Sequence, residues 1–120
     1  MTPKLNNLTV LGAGVLGGQI AWHSAFKGKN VVVYDLFDDS LQRCRVAHQQ
    51  YAAIYQAELG ATDAMIGETR GRLTYCSDLA EAVGQADLVI EAVPEVMAIK
   101  HAVVRQFEAL GHRSQVAGRR

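Results

Sequence analysis

Cysteine and proline are scarce in this chain, two of each in 120 residues, and tryptophan occurs once. Cys44 and Cys76 form no C-x-x-C pair, and two cysteines cannot make a disulfide scaffold in a chain of this size. No metal ligand set is expected, because the histidines have no partners at ligand spacing. An excess of one charge is missing too. Twelve basic side chains balance twelve acidic ones, which argues against a general nucleic-acid or anionic-membrane binder. Long apolar runs are also absent: nothing approaches the ~18 uninterrupted residues of a membrane span. The first apolar stretch is broken by Gly12 and Gly14, far short of a secretory signal. A cytoplasmic location is the expectation.

What is present is an ordinary globular composition, 49% hydrophobic and 20% charged, enough for one core that needs neither disulfide nor metal. The charge balance hides an asymmetry. The last ten residues carry Arg113, Arg119 and Arg120 and no acid, so residues 1–110 hold nine basic and twelve acidic groups, net −3. Residues 111–120 read as a basic tail with too few apolar positions for a central strand.

Short apolar runs alternate with helical periodicities. Leu8-Thr9-Val10-Leu11 is a buried parallel strand by pattern. From Val15, the positions Leu16, Ile20, Ala21, Ala25 and Phe26 recur at helical spacing until Lys27-Gly28-Lys29 stops the helix. Val31 to Tyr34 is a second strand. Asp38, Asp39 and Ser40 offer caps for a long helix ending near Leu59-Gly60. Thr62 caps a shorter helix from Asp63 to about Thr69. Leu73 to Cys76 is strand-like, Ser77-Asp78 opens a short helix over Leu79, Ala82 and Val83, and Leu88-Val89-Ile90 is a fourth strand. Val96, Ile99, Val103, Phe107 and Leu110 predict a last helix. Four strands alternating with helices indicate an α/β fold, an open, doubly wound parallel sheet.

The chemistry concentrates at Gly12-Ala13-Gly14-Val15-Leu16-Gly17, a G-x-G-x-x-G turn between strand and helix. Gly12 permits the tight turn, Gly14 lets backbone approach a pyrophosphate, and Gly17 lets the helix pack against the strand. Free N–H groups and the macrodipole at the helix start favour phosphate. Asp35 follows Gly17 by 18 residues, at the end of the second strand, where a carboxylate accepts from the adenine-ribose hydroxyls and repels a 2′-phosphate. NAD is therefore expected rather than NADP.

These residues resemble the 3-hydroxyacyl-CoA dehydrogenase family. Val10 to Gly17, the long helix after Asp35, Leu73 to Leu79, and Ala86-Asp87-Leu88-Val89-Ile90-Glu91-Ala92-Val93-Pro94-Glu95 follow its pattern in order, over residues 5–110. The resemblance implies a Rossmann-like NAD-binding domain over 1–110, with the sheet incomplete at its C-terminal side. It places the phosphate turn on Gly14, Val15, Leu16, Gly17, Gly18 and Gln19, and cofactor contacts near the nicotinamide on Glu95 and Lys100. It implies oxidation of a 3-hydroxyacyl-CoA to the 3-oxoacyl-CoA with NAD in a complete member, within fatty-acid metabolism.

Two departures from that pattern bear on function. Family members acting on coenzyme A thioesters tend to carry a serine and a lysine on the long helix, and an ungapped count puts Tyr51 and Glu58 at those positions. A small hydroxy acid of gulonate or carnitine type is the alternative substrate, and a non-catalytic dinucleotide-binding module the alternative class. The segment 111–120 matches nothing in the family, and the helical substrate domain with its catalytic histidine has no counterpart. The 120 residues alone are therefore expected to be inactive, with no catalytic residue assigned. His23, His48 and His101 read as packing or solvated residues, Cys44 and Cys76 as packing groups, Trp22 as a core residue behind the turn, and Glu68–Arg72 as a surface pair.

Overall fold

The structure is a computed structural model that describes residues 6–92 and 115–116. Strand β1 (Asn7–Leu11) is followed by α1 (Val15–Phe26), β2 (Asn30–Tyr34), the long α2 (Asp38–Leu59), α3 (Asp63–Gly71), β3 (Leu73–Cys76), the short α4 (Leu79–Val83), β4 (Leu88–Glu91) and β5 (Gln115–Val116). The strands form one sheet in the order β3-β2-β1-β4-β5. All pairings are parallel. The order reverses direction between β1 and β4. A ligand of a doubly wound sheet lies at such a point, outside the carboxyl ends of the strands.

The two faces of β1 follow from its period of two. Leu8 and Val10 join Val31 and Val33 on the face that also takes Ala21 and Ala25 of α1 and Leu41 and Cys44 of α2. Leu11 joins Tyr34 and Val89 on the other face, against Leu79, Ala82 and Val83 of α4. Each fully buried Val or Leu contributes roughly 1.5–3 kcal/mol relative to exposure, so the near-continuous apolar strands hold the sheet between its two helical layers. Thr9 is buried on the α4 face without penalty because its hydroxyl donates to the Ala82 carbonyl. Trp22, Ala52, Ala61 and Ile66 form a separate cluster where α1, α2 and α3 meet.

Local chemistry sets the boundaries. Thr62 caps α3 by accepting from Met65 N at 3.1 Å, and Asp78 caps α4 by accepting from Glu81 N at 3.0 Å. Asp87, just before β4, accepts from the backbone of Asn6 and Asn7 at 3.1 and 2.9 Å, tying the amino ends of β1 and β4. α2 departs from expectation. Its cap is Phe37, with no side-chain cap bond, while Asp38 and Asp39 fall inside the first turn. There they act through the macrodipole rather than as caps.

The strand β5 is a second difference. Sequence pattern leaves 111–120 without a strand, whereas Gln115 and Val116 pair with Ile90 and Glu91. Among the described residues this two-residue strand pairs with β4 alone, and two residues leave no period for sequence pattern to show. The last expected helix lies outside the described residues. Among the described residues, no helix is long and apolar enough to cross a membrane.

Candidate cofactor-binding site

The chain leaves β1 through Gly12, whose φ of +113° is disfavoured for L side chains. Gly12 N donates to the Tyr34 carbonyl at 2.7 Å, so the turn starts fastened to β2. Asp35 fastens it again. One carboxylate oxygen accepts from Ala13 N at 2.9 Å and the other from Phe37 N at 3.0 Å. A single side chain thus joins the glycine turn to the exit of β2, and each oxygen keeps acceptor capacity for another donor.

Gly14 and Gly17 are glycines for different reasons. A Cβ on Gly17 would stand 1.9 Å from the Gly12 carbonyl oxygen and 3.3 Å from the Ala92 Cβ. Only glycine allows α1 to rest on the ends of β1 and β4 at that distance. A Cβ on Gly14 would meet nothing within 4 Å, and its φ of −72° suits any residue. Nothing in the described protein demands glycine there; the space in front of it is open.

That space faces the start of α1. Gly14 is the N-cap without a side-chain cap bond, no acid lies in the first turn, and the Gly14 carbonyl takes the bond from Gly18 N at 2.8 Å. The N–H groups of Val15, Leu16 and Gly17 precede that bond and have no intrahelical partner, which leaves them for an anion. Val15 is 76% exposed and Leu16 41%, so the rim of the site is apolar and uncovered. Gln19 is exposed one turn further on.

Gly18 stands apart from the other members of the expected turn. It is buried against α2, where its Cβ would come 3.4 Å from Cys44 Sγ and 3.8 Å from His48 Nε2. In this structure Gly18 serves helix packing. Glu95 and Lys100, assigned by resemblance to the nicotinamide end, lie outside the described residues, as does His101.

Glu91 falls at the carboxyl end of a strand by sequence pattern, where ligands of open α/β sheets lie, but pattern assigns it no contact. It closes β4 at the β1/β4 switch point, is 1% exposed, and neither carboxylate oxygen has a hydrogen-bond partner among the described residues. The signal was present in sequence: an acid continues the apolar run Leu88-Val89-Ile90, and a buried acid there needs a partner.

The two described histidines are engaged away from the turn. His23 Nδ1 bonds the Tyr55 hydroxyl at 2.7 Å. His48 is buried, with Nε2 2.8 Å from the Gly18 carbonyl oxygen and Nδ1 bonded to the Tyr75 hydroxyl. A carbonyl only accepts, so Nε2 carries the proton and Nδ1 accepts from Tyr75. Burial lowers the His48 pKa, against a smaller opposing effect of the Gly18 bond, so the ring is neutral. Cys44 Sγ lies 3.5 Å from His48 Nε2. It is no activated thiol: burial first, then Asp35, push its pKa up to about 11. Among the described residues no group of three ligating side chains could hold a metal.

The family model for the 3-hydroxyacyl-CoA dehydrogenase NAD binding domain matches residues 7–116, reaching six residues into the segment that pattern sets apart. A fatty acid oxidation complex subunit alpha of Psychrobacter sp. (strain PRwf-1) is 33% identical over 106 residues, covering 88% of this chain and 15% of its own length. A probable 3-hydroxyacyl-CoA dehydrogenase of Caenorhabditis elegans is 32% identical over 114 residues, covering 88% and 36%. The solved structure of a diketoreductase studied with dicarbonyl compounds matches with a TM-score of 0.86 at 39% identity, over 96% of this chain and 41% of that one. The chain therefore spans well under half the length of these relatives. With its sheet order, its glycine turn and a family match over nearly its whole length, the chain belongs to the 3-hydroxyacyl-CoA dehydrogenase family as an NAD-binding domain of Rossmann-like fold, with NAD as the cofactor.

Proposed function

We propose that Gly12, Gly14, Val15, Leu16, Gly17, Gln19 and Asp35 hold NAD across the carboxyl ends of β1 and β2, for an oxidoreductase acting on a secondary alcohol. The observation that carries this reading is the contrast at the turn. Gly17 is required by the protein's own backbone, whereas Gly14 faces open space beside three uncommitted N–H groups. A pyrophosphate fits that combination: it takes up the donors and occupies the space that a side chain would fill. Asp35 then orients the adenine ribose through its remaining lone pairs, and its charge rejects a 2′-phosphate. When bound, NAD supplies a nicotinamide that exchanges a hydride with the substrate carbon. Glu95 and Lys100 complete the proposed set at the nicotinamide end.

The family supports a 3-hydroxyacyl-CoA as substrate, and the names of its relatives support a place in fatty-acid oxidation. A small hydroxy acid is the second reading. It is favoured by Glu58, exposed on α2 where thioester-binding members carry a cation, and by Tyr51 at the companion position. The substrate is a small molecule in both readings. Neither described histidine is free to serve as the base, and we assign no catalytic residue. Two free cysteines support a cytoplasmic setting.

Gly14→Ala tests the cofactor site directly. With no clash to introduce, this substitution should lower the melting temperature by only a few degrees, since replacing a glycine N-cap by alanine costs about 1 kcal/mol or less. NAD affinity by calorimetric titration should fall about tenfold or more, roughly 1.4 kcal/mol. Unchanged NAD affinity would remove Gly14 and the helix start from the site.

A further inference from the structure

On the face of the sheet covered by α1, α2 and α3 lies a cleft of about 210 Å³ lined by Trp22, Arg45, His48, Gln49, Arg70 and Tyr75. It is built from side chains, unlike the glycine turn, and no role falls to it in the cofactor reading. Its floor is buried: Trp22 is 1% and His48 3% exposed. Its mouth is formed by the exposed Arg45, Gln49 and Arg70.

The charged groups around this cleft are both cations. The buried Trp22 Nε1 donor has no hydrogen-bond partner among the described residues, an uncommon and costly condition for a native indole. The two arginines add guanidinium donors and positive charge, and neither is paired with a carboxylate among the described residues. Arg45 lies over the Tyr75 ring, 4.6 Å from its centroid, and its one described hydrogen bond runs at 3.4 Å to the neutral Gln42 side chain. Both arginines lie close enough to the Tyr75 hydroxyl to offset part of the rise that burial imposes on its pKa. His48 presents no spare acceptor: Nδ1 is taken by Tyr75 and Nε2–H by the Gly18 carbonyl. A concave site with two unneutralised guanidinium groups and aromatic walls lacks one thing, an anionic acceptor.

We propose that this cleft is a second ligand site, separate from the dinucleotide turn, which binds the oxyanion group of a small molecule against Arg45 and Arg70, above the floor that Trp22 and His48 form. Its volume is below the roughly 300 Å³ at which sites for drug-sized ligands begin, so the occupant is compact. Phosphate and carboxylate share the required chemistry, and guanidinium groups recognise both. The cleft's walls belong to α1, α2, α3 and β3, so occupancy would brace the long α2 against the sheet edge.

Trp22 is the only tryptophan and therefore a local reporter. Inorganic phosphate and benzoate, titrated separately against the protein at constant ionic strength, should give a saturable change in tryptophan emission with at least one of them. Which one saturates at lower concentration decides between phosphate and carboxylate. The double variant Arg45→Gln/Arg70→Gln should melt within a few degrees of wild type, the lost Arg45–Tyr75 stack being worth about 0.5–1 kcal/mol, and lose at least about tenfold in apparent affinity. A linear, non-saturating response to both anions would overturn the proposal. So would equal saturation in wild type and double variant, since that places the anion elsewhere, the free start of α1 being the obvious other site.

Discussion

The two ends of α1 face opposite demands. Its first turn has no side-chain cap and no acid: Gly14 looks onto open space, and the N–H groups of Val15, Leu16 and Gly17 have no intrahelical partner. From Gly18 onward the same helix is wedged into side chains. Gly18 touches α2, Trp22 sits among the rings of His48 at 5.4 Å and Tyr55 at 6.0 Å, and Ala25 O accepts from the Arg72 guanidinium at 3.0 Å. The second part holds the first in place. A helix start can remain unsatisfied and ready for a ligand only where the rest of the helix is over-determined by packing.

The largest expected effect breaks the junction between these parts. Gly17→Ala drives a Cβ into the Gly12 carbonyl, and overpacking against backbone should cost about 3 kcal/mol or more. Thermal unfolding should show a loss of well over five degrees, and a variant melting within two degrees of wild type would contradict the close approach.

Next comes the packed part alone. His48→Ala strips Tyr75 of its acceptor and the Gly18 carbonyl of a donor inside the core, and removes a ring that Trp22, Tyr51 and Tyr75 contact. A loss of about 2–4 kcal/mol in urea unfolding is expected. His48→Ala should weaken NAD binding only through the fraction unfolded, which separates the two parts of α1.

A smaller effect follows from the titration of His48. Its pKa is lowered in the folded state, so the unfolded chain binds the proton first as pH falls. Stability is then fully present above the ordinary histidine pKa of about 6.5 and declines below it, by at most about 1.4 kcal/mol per pH unit for one proton, until the folded-state pKa is passed. Urea midpoints at pH 7.5, 6.5 and 5.5 should fall more steeply for wild type than for His48→Gln. Parallel profiles would show that the ring is not held neutral by the fold.

How far sequence foretells this arrangement depends on the range of the interactions. The strands, the glycine turn, the Thr62 cap and the opening of α4 at Asp78 are legible because period, turn chemistry and caps act within a few residues. The link from Asp35 to the turn is legible as a spacing, though its two hydrogen bonds to Ala13 and Phe37 are not. The His48 network could not be read. Its partners Gly18 and Tyr75 lie 30 and 27 residues away, and a histidine among glutamines resembles a surface residue. The resemblance places Gly18 on the phosphate turn, but it stands one turn above Gly14 and packs against Cys44 and His48 of α2, partners 26 and 30 residues away that no local pattern announces. β5 is too short to leave a pattern.

The central claim is that the turn and Asp35 form one dinucleotide site selective for NAD. It is tested most directly by the ratio of NAD to NADP affinity in wild type and Asp35→Ala, measured by calorimetric titration at one salt concentration. A ratio is insensitive to any loss of folded protein that follows from removing the Ala13 and Phe37 contacts. Wild type should prefer NAD by about tenfold or more, and Asp35→Ala should bring the ratio close to one as the carboxylate's repulsion of a 2′-phosphate disappears. A preference that survives the substitution intact would contradict the account.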